Sequence, residues 1–131
     1  MLNPEESLVH ASLVALGAIA GSWLRFKTIN YYSRIWSRRY WGTLIVNFSS
    51  SFLLGFILAF HSDWNDSQVF SSLVPLLLVG FLGSLSTFST FIFELLEIIH
   101  LKRFKEFGLL LVSSVFGGLI IAIAGYGLGY K

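Results

Sequence analysis

The chain has 131 residues, of which 55% are hydrophobic and only 12% charged, a balance far from that of a soluble globular domain and one that requires apolar surface to meet lipid. This length supports one domain, and the absence of cysteine excludes disulfides, thiolate chemistry and cysteine-based metal sites. The net charge of +2 comes from basic residues gathered at span ends, where they meet lipid headgroups, so nucleic acid is a poor partner.

In chain order, Met1 to Ser7 carry Glu5 and Glu6 without Lys or Arg; the basic n-region of a signal peptide is missing, and the first apolar segment is expected to stay in the protein. That segment, Ser7 to Leu24, carries only His10 near one end. Trp41 to Phe60, Val69 to Phe93 and Phe107 to Tyr130 contain no charged residue, and each is long enough to cross the roughly 30 Å hydrocarbon core as a helix. The expected fold is therefore all-α, a single four-helix transmembrane domain over 1–131 with spans near 7–26, 41–60, 69–99 and 106–130. Connections are short: Phe26 to Tyr40 polar and basic, His61 to Gln68 acidic and polar, Leu101 to Glu106 basic.

Eight of the nine Lys and Arg residues lie on one side: Arg25, Lys27, Arg34, Arg38 and Arg39 at or after the first span, then Lys102, Arg103 and Lys105 between the third and fourth. The positive-inside rule places both in the cytoplasm, with both termini and the Asp63/Asp66 loop outside. Small residues recur at helix-packing spacing in Gly17/Gly21, Ser51/Gly55, Ser114/Gly118 and Gly125/Gly129. Such pairs let helix backbones approach closely in a bilayer and predict compact packing, within or between chains.

The third span carries its own anomaly. In Gly80-Phe81-Leu82-Gly83-Ser84-Leu85-Ser86-Thr87-Phe88-Ser89-Thr90-Phe91, five hydroxyl side chains fall within seven residues. Isolated Ser or Thr residues bond back to their own helix, but this density beside glycines weakens regular helix. Irregular backbone at membrane depth is tolerated only where protein or a water-filled cavity satisfies it. A break is predicted between Gly83 and Thr90, of the kind that exposes backbone groups to ions. In the second span Thr43, Asn47 and Ser50 share a helical face, and Asn47 offers two uncharged donors, suited to an anion that must be dehydrated without being trapped. Phe88 and Phe91 share a face if helix persists there, and their ring edges are weakly electropositive.

Other candidates carry less. His10, His61 and His100 lack metal-site spacing. Glu94 and Glu97 near the end of span three read as solvated or paired with Lys102 or Arg103, with a vestibule role open to Glu94. Arg25 reads as snorkelling to headgroups or drawing anions to a pore mouth. No nucleophile and base stand at usable spacing, and no enzyme function is expected.

These residues are similar to the Fluc (CrcB) fluoride channels. The family's Gly-x-x-x-Arg motif matches Gly21-Ser22-Trp23-Leu24-Arg25. Its Gly-Thr-Leu-x-x-Asn motif matches Gly42-Thr43-Leu44-Ile45-Val46-Asn47. Its Gly-rich stretch before Thr-Thr-Phe-Ser-Thr-Phe matches Gly80 to Gly83 followed by Ser86-Thr87-Phe88-Ser89-Thr90-Phe91. The three occur in family order over nearly the whole chain. The resemblance implies an antiparallel dimer in the cell membrane that lets fluoride leave passively through two anion pathways around a central Na+. It implies Asn47 as the pore asparagine, Phe88 and Phe91 as fluoride-coordinating aromatics, Ser89 and Thr90 as hydroxyl donors, and Ser114 on the polar track of helix four. It also implies the carbonyls of Gly83 and Ser86 as sodium ligands, four oxygens from two subunits. Ser84 stands where the family has a second glycine, Ser86 where it has threonine, and Ser50 where glycine often follows the asparagine; Ser84 and Ser50 are expected to crowd close packing.

An antiparallel homodimer requires one sequence to insert both ways, whereas this basic bias selects one orientation. The expected partner is therefore a second, oppositely oriented homologous chain. Two competing classes are a small proton-coupled drug exporter, which needs a carboxylate buried in a span, and a non-conducting assembly subunit.

Overall fold

The computed structural model describes residues 3–36, 38–61 and 74–130, with the side chains of Phe60 and His61 left aside. The acidic Asp63/Asp66 loop and the first residues of the expected third span lie outside the described residues. Helix α1 is Pro4–Ile35 and α2 is Tyr40–His61. The third span is divided: α3 comprises a π-helical stretch, Pro75–Leu82, continued by the turn Gly83–Leu85, and α4 is Ser89–His100. Helix α5, Phe104–Gly129, completes the chain. Four segments are long and apolar enough to span a membrane, Pro4–Ile35, Tyr40–Ala59, Pro75–His100 and Phe104–Gly129.

Helix α1 starts cleanly because Asn3 precedes Pro4 and Asn3 N–H donates to Glu6 Oε2 at 3.1 Å, the reciprocal arm of a capping box. It does not stop where the apolar run ends near Phe26. Its 32 residues measure ~48 Å at 1.5 Å per residue, so the stretch read as a polar connection is helical to Ile35. Nothing between Phe26 and Ile35 breaks a helix, and Ile29 is buried there with its backbone against Gly42. The aromatic residues Tyr32, Trp36, Trp41 and Tyr40 then form a chain of ring contacts with centroids 5.1–5.5 Å apart, the composition of a membrane-interface belt.

Helices pack as two parallel pairs. Gly17 and Gly21 of α1 sit directly on α3: a Cβ on Gly17 would lie 2.1 Å from the Leu76 carbonyl oxygen, and one on Gly21 2.3 Å from that of Phe81. Gly55 of α2 and Gly125 of α5 do the same, with 2.0 Å to the Ala122 carbonyl oxygen and 2.2 Å to that of Phe52. Three of the small-residue pairs are thus seams inside one chain. Ser114/Gly118 is not one, since a Cβ on Gly118 would meet only Ser51 Oγ at 3.6 Å. Ser84 does not hold the helices apart: its hydroxyl donates to the Phe81 carbonyl at 3.1 Å and lies over the bare face of Gly21. Ser50, buried, donates back to the Val46 carbonyl at 2.8 Å.

Two apolar clusters flank the division of the third span. Leu44, Phe91, Leu95, Ile98 and Leu110 pack on the α4 side, and Ile29, Val46, Leu82 and Leu85 on the α3 side. Helix α2 contributes to both and stands against the break. At the end that carries the two basic turns, Glu106 bridges Arg38 and Arg103, clasping the α1–α2 turn to the α4–α5 turn. The α4–α5 turn closes through Lys102 at φ 55°, with Lys102 N–H on the Ile99 carbonyl and Arg103 N–H on that of Ile98, the paired bonds of a Schellman C-cap. Outward faces remain apolar, with Phe116, Leu119, Ile120 and Ile123 among the exposed residues of α5.

Candidate ion pathway

The break occupies Ser86 to Phe88, where Ser86 turns extended at φ −68°, ψ 152°, inside the predicted window. Its backbone is held by a side chain from another helix. Thr87 N–H donates to Asn47 Oδ1 at 2.8 Å, and Asn47 Nδ2 donates to the Thr87 carbonyl at 3.1 Å. In a continuous helix that N–H would serve the Gly83 carbonyl; its diversion to Asn47 removes the Gly83 oxygen's helical donor. Likewise Thr90 N–H turns to Thr87 Oγ1 at 3.4 Å, and the Ser86 carbonyl instead accepts from Arg25 Nη1 at 3.4 Å. Asn47 therefore does more than line a face of α2: it pairs both ways with the break, and those bonds leave one of its two Nδ2 protons unused.

Hydroxyls gather at the same point. Thr87 Oγ1 donates to Thr90 Oγ1 at 3.1 Å and lies 3.5 Å from Ser89 Oγ. Ser89 is exposed and Thr90 half-buried at the first turn of α4, where unpaired N–H groups and the helix dipole favour negative charge. Phe88 and Phe91 have ring centroids 6.3 Å apart at 44°, but they differ in setting: Phe88 is 74% exposed and Phe91 6%. Phe91 belongs to the core beside Leu44 and Leu95, so only Phe88 presents most of its ring to the outside of the single chain.

The sequence reading placed three residues differently. Arg25 is not at a helix end; α1 continues past it, and its guanidinium meets the break. Glu94 is buried rather than solvated, accepting from Thr43 Oγ1 at 2.7 Å through Oε1, while Oε2 is buried without a hydrogen-bond partner. It lines, with Glu97, Arg38, Arg39, Tyr40 and Arg103, a cavity of 280 Å³ at the basic end of the molecule. Ser114 stands half-buried on α5, one turn before Gly117, which packs under the Phe48 ring; among the described residues no hydrogen bond joins it to the break. Thr87 was not singled out within the hydroxyl run, although its position at the run's centre marked it. Thr43, read only as part of a stripe, is the partner of Glu94.

Four apolar spans around a hydroxyl-rich interruption define a small multi-pass membrane protein with a polar site at mid-span. Residues 12–126 match the family described as CrcB-like protein, Camphor Resistance (CrcB), and the chain belongs to that family. It is 44% identical to the fluoride-specific ion channel FluC 1 of Prochlorococcus marinus (strain MIT 9313) over 90% of each chain. It is 46% identical to FluC 1 of Parasynechococcus marenigrum (strain WH8102) over 94% of this chain and 95% of that one. A fluoride-specific ion channel FluC 2 from Lactobacillus johnsonii is 37% identical over 86% of this chain and 90% of its own. These relatives are ion channels, not enzymes.

Proposed function

We propose that this chain is a subunit of a fluoride channel that lets the ion leave the cell down its gradient. The observation that carries this reading is the pairing of Asn47 with the Thr87 backbone at the break of the third span. It satisfies both backbone groups of Thr87 in an irregular, hydroxyl-bearing segment at a depth where unpaired backbone is costly. Fluoride entering such a site exchanges water for the spare Asn47 proton, for the hydroxyls of Ser89 and Thr90, and for the ring edges of Phe88 and Phe91. All are neutral donors, so the ion is solvated without the deep well that a permanent countercharge in direct contact would create. Ser114 extends the polar track on α5, and Glu94 sits at the vestibule end.

The unit of function is an antiparallel dimer across the third-span breaks. The Gly83 carbonyl, which has lost its helical donor, and the Ser86 carbonyl, which keeps a lone pair beside its one long bond from Arg25, suit a hard cation such as Na+, and two chains would supply four such oxygens. Bound there, Na+ would cross-link the breaks electrostatically. The site lies in the cell membrane with both termini outside. The charge bias of this chain points to an oppositely oriented homologue as partner.

The test is fluoride efflux from liposomes holding this chain, alone and with a homologue of opposite charge bias. Asn47→Ala removes both bonds to Thr87 and leaves a buried N–H and C=O unpaired, at a cost of about 1–3 kcal/mol. Efflux is expected to vanish in Asn47→Ala while a wild-type pair conducts. Absence of efflux in every combination would return the chain to the reading as an assembly subunit.

A further inference from the structure

Beyond its seam with α3, the last turns of α1 carry a basic face turned away from the rest of the chain. Lys27, Tyr31 and Arg34 stand at i, i+4 and i+7 and so share one side of the helix, opposite Ile29, which is buried against Gly42. All three are exposed. Together with Phe26, Thr28 and Asn30 they line a surface groove of 610 Å³, and every residue lining it belongs to α1. Among the described residues both ion pairs belong to Glu106, with Arg38 and Arg103, so neither Lys27 nor Arg34 is matched by a carboxylate. Tyr31 adds a hydroxyl between the two cations. Lys27 and Arg34 are ~10 Å apart along the helix axis, and both side chains are long enough to converge on Tyr31. Toward the middle of the span the same face turns apolar, with Trp23 and Phe26 exposed and Lys27 Nζ 3.9 Å from the centre of the Trp23 ring, a cation–π contact. Toward the helix end follow the rings of Tyr32, Trp36 and Trp41, the composition of a membrane interface.

We propose that this face of α1 docks the headgroup of an acidic phospholipid from the leaflet at the basic end of the molecule. The phosphate lies between Lys27, Tyr31 and Arg34, and the acyl chains run along Phe26 and Trp23. The order of chemistry along the helix selects this occupant: cations and a hydroxyl stand nearer the interface, and exposed rings stand deeper, which is the order of charge and hydrocarbon in a lipid. Soluble phosphate would use the cations but not the rings, and a headgroup without net charge would leave the two cations uncompensated. A lipid so held fixes the height of α1 in the bilayer. This docking stands without the channel reading, because it concerns the outer face of α1 and not the break.

The experiment offers purified protein an equimolar mixture of phosphatidylglycerol and phosphatidylcholine in detergent and counts the lipid retained by native mass spectrometry. Wild type is expected to retain phosphatidylglycerol about tenfold over phosphatidylcholine. The double variant Lys27→Gln/Arg34→Gln should fall to near parity, while Lys102→Gln/Lys105→Gln, which removes the same charge from the other basic turn, should keep the preference. No preference in wild type, an unchanged preference in the first variant, or an equal loss in both would each overturn the docking. So would displacement of phosphatidylglycerol by millimolar inorganic phosphate, which would make the site one for the soluble ion. Melting in phosphatidylcholine alone should be the same for wild type and Lys27→Gln/Arg34→Gln; a fall in the variant would give the two cations a structural role instead. In membranes, Phe26→benzoylphenylalanine should crosslink to phospholipid on illumination, and capture of a second polypeptide in its place would assign the face to a protein partner and refute the lipid.

Discussion

Phe88 and Phe91 occupy one motif and two environments. Phe91 is part of the apolar cluster with Leu44, Leu95, Ile98 and Leu110, so Phe91→Ala opens a core cavity and is expected to cost about 3–5 kcal/mol. Phe88 is 74% exposed in the single chain, and Phe88→Ile removes a ring edge without emptying the core. Efflux should fall in both variants, whereas the melting temperature of the purified protein should fall in Phe91→Ala alone. Equal destabilisation by the two would place Phe88 in a packing role and remove it from the ion path. Neighbouring hydroxyls divide in the same way: the Thr87 hydroxyl is committed to Thr90, while the Ser89 hydroxyl lies at the exposed first turn of α4.

At the scale of elements, helix seams made of glycine position the break. Gly21 lets α1 lie against the Phe81 carbonyl, and this contact sets the height at which Arg25 meets Ser86. Gly21→Ala would put a methyl 2.3 Å from that carbonyl oxygen and 2.2 Å from Ser84 Oγ. The helices must then separate, at an expected cost of about 1–3 kcal/mol, and efflux should drop because the register of α1 on α3 changes. Gly108 is the control, since a Cβ there would meet nothing within 4 Å. Gly108→Ala should leave flux intact and raise stability by about 0.4–1 kcal/mol through the unfolded chain. Thermal unfolding and liposome flux on both variants check the pair of expectations, and a Gly21→Ala protein as stable and active as wild type would show the seam to be loose.

For the whole molecule, the Arg38–Glu106–Arg103 clasp holds the two basic turns together at one end, so the positive charge of both connections acts on the same membrane face. The positive-inside rule then predicts a single orientation, basic end in the cytoplasm. The chain has no cysteine, so single introduced cysteines report topology without background. Asn3→Cys is expected to react with an impermeant thiol reagent in intact cells, and Lys105→Cys only after the membrane is opened. Labelling of both sites from outside would mean dual insertion and would favour a homodimer over the heteromeric partner.

Much of this organisation was readable from residue order alone. Four spans follow from hydropathy because a bilayer admits few solutions for an apolar chain, and the site of the break follows from a density of Gly, Ser and Thr that regular helix does not favour. Asn47 was singled out because a carboxamide in an apolar span offers two uncharged donors. Which partner it takes was not readable, since the Thr87 backbone is forty residues away and only helix packing brings the two together. The same holds for Arg25 and Glu94. By position each looked like a residue at the end of an apolar run, where side chains reach headgroups or water. Folding extends α1 beyond Arg25 and closes α2 over Glu94. What the sequence by itself determined is the membrane, the spans, the charge bias and the place where helix three fails, because these depend on local composition and the bilayer. What only the tertiary structure decided is the pairing of Asn47 with Thr87, the depth of Arg25 and the burial of Glu94, because each depends on the register of glycine seams between helices far apart in the chain.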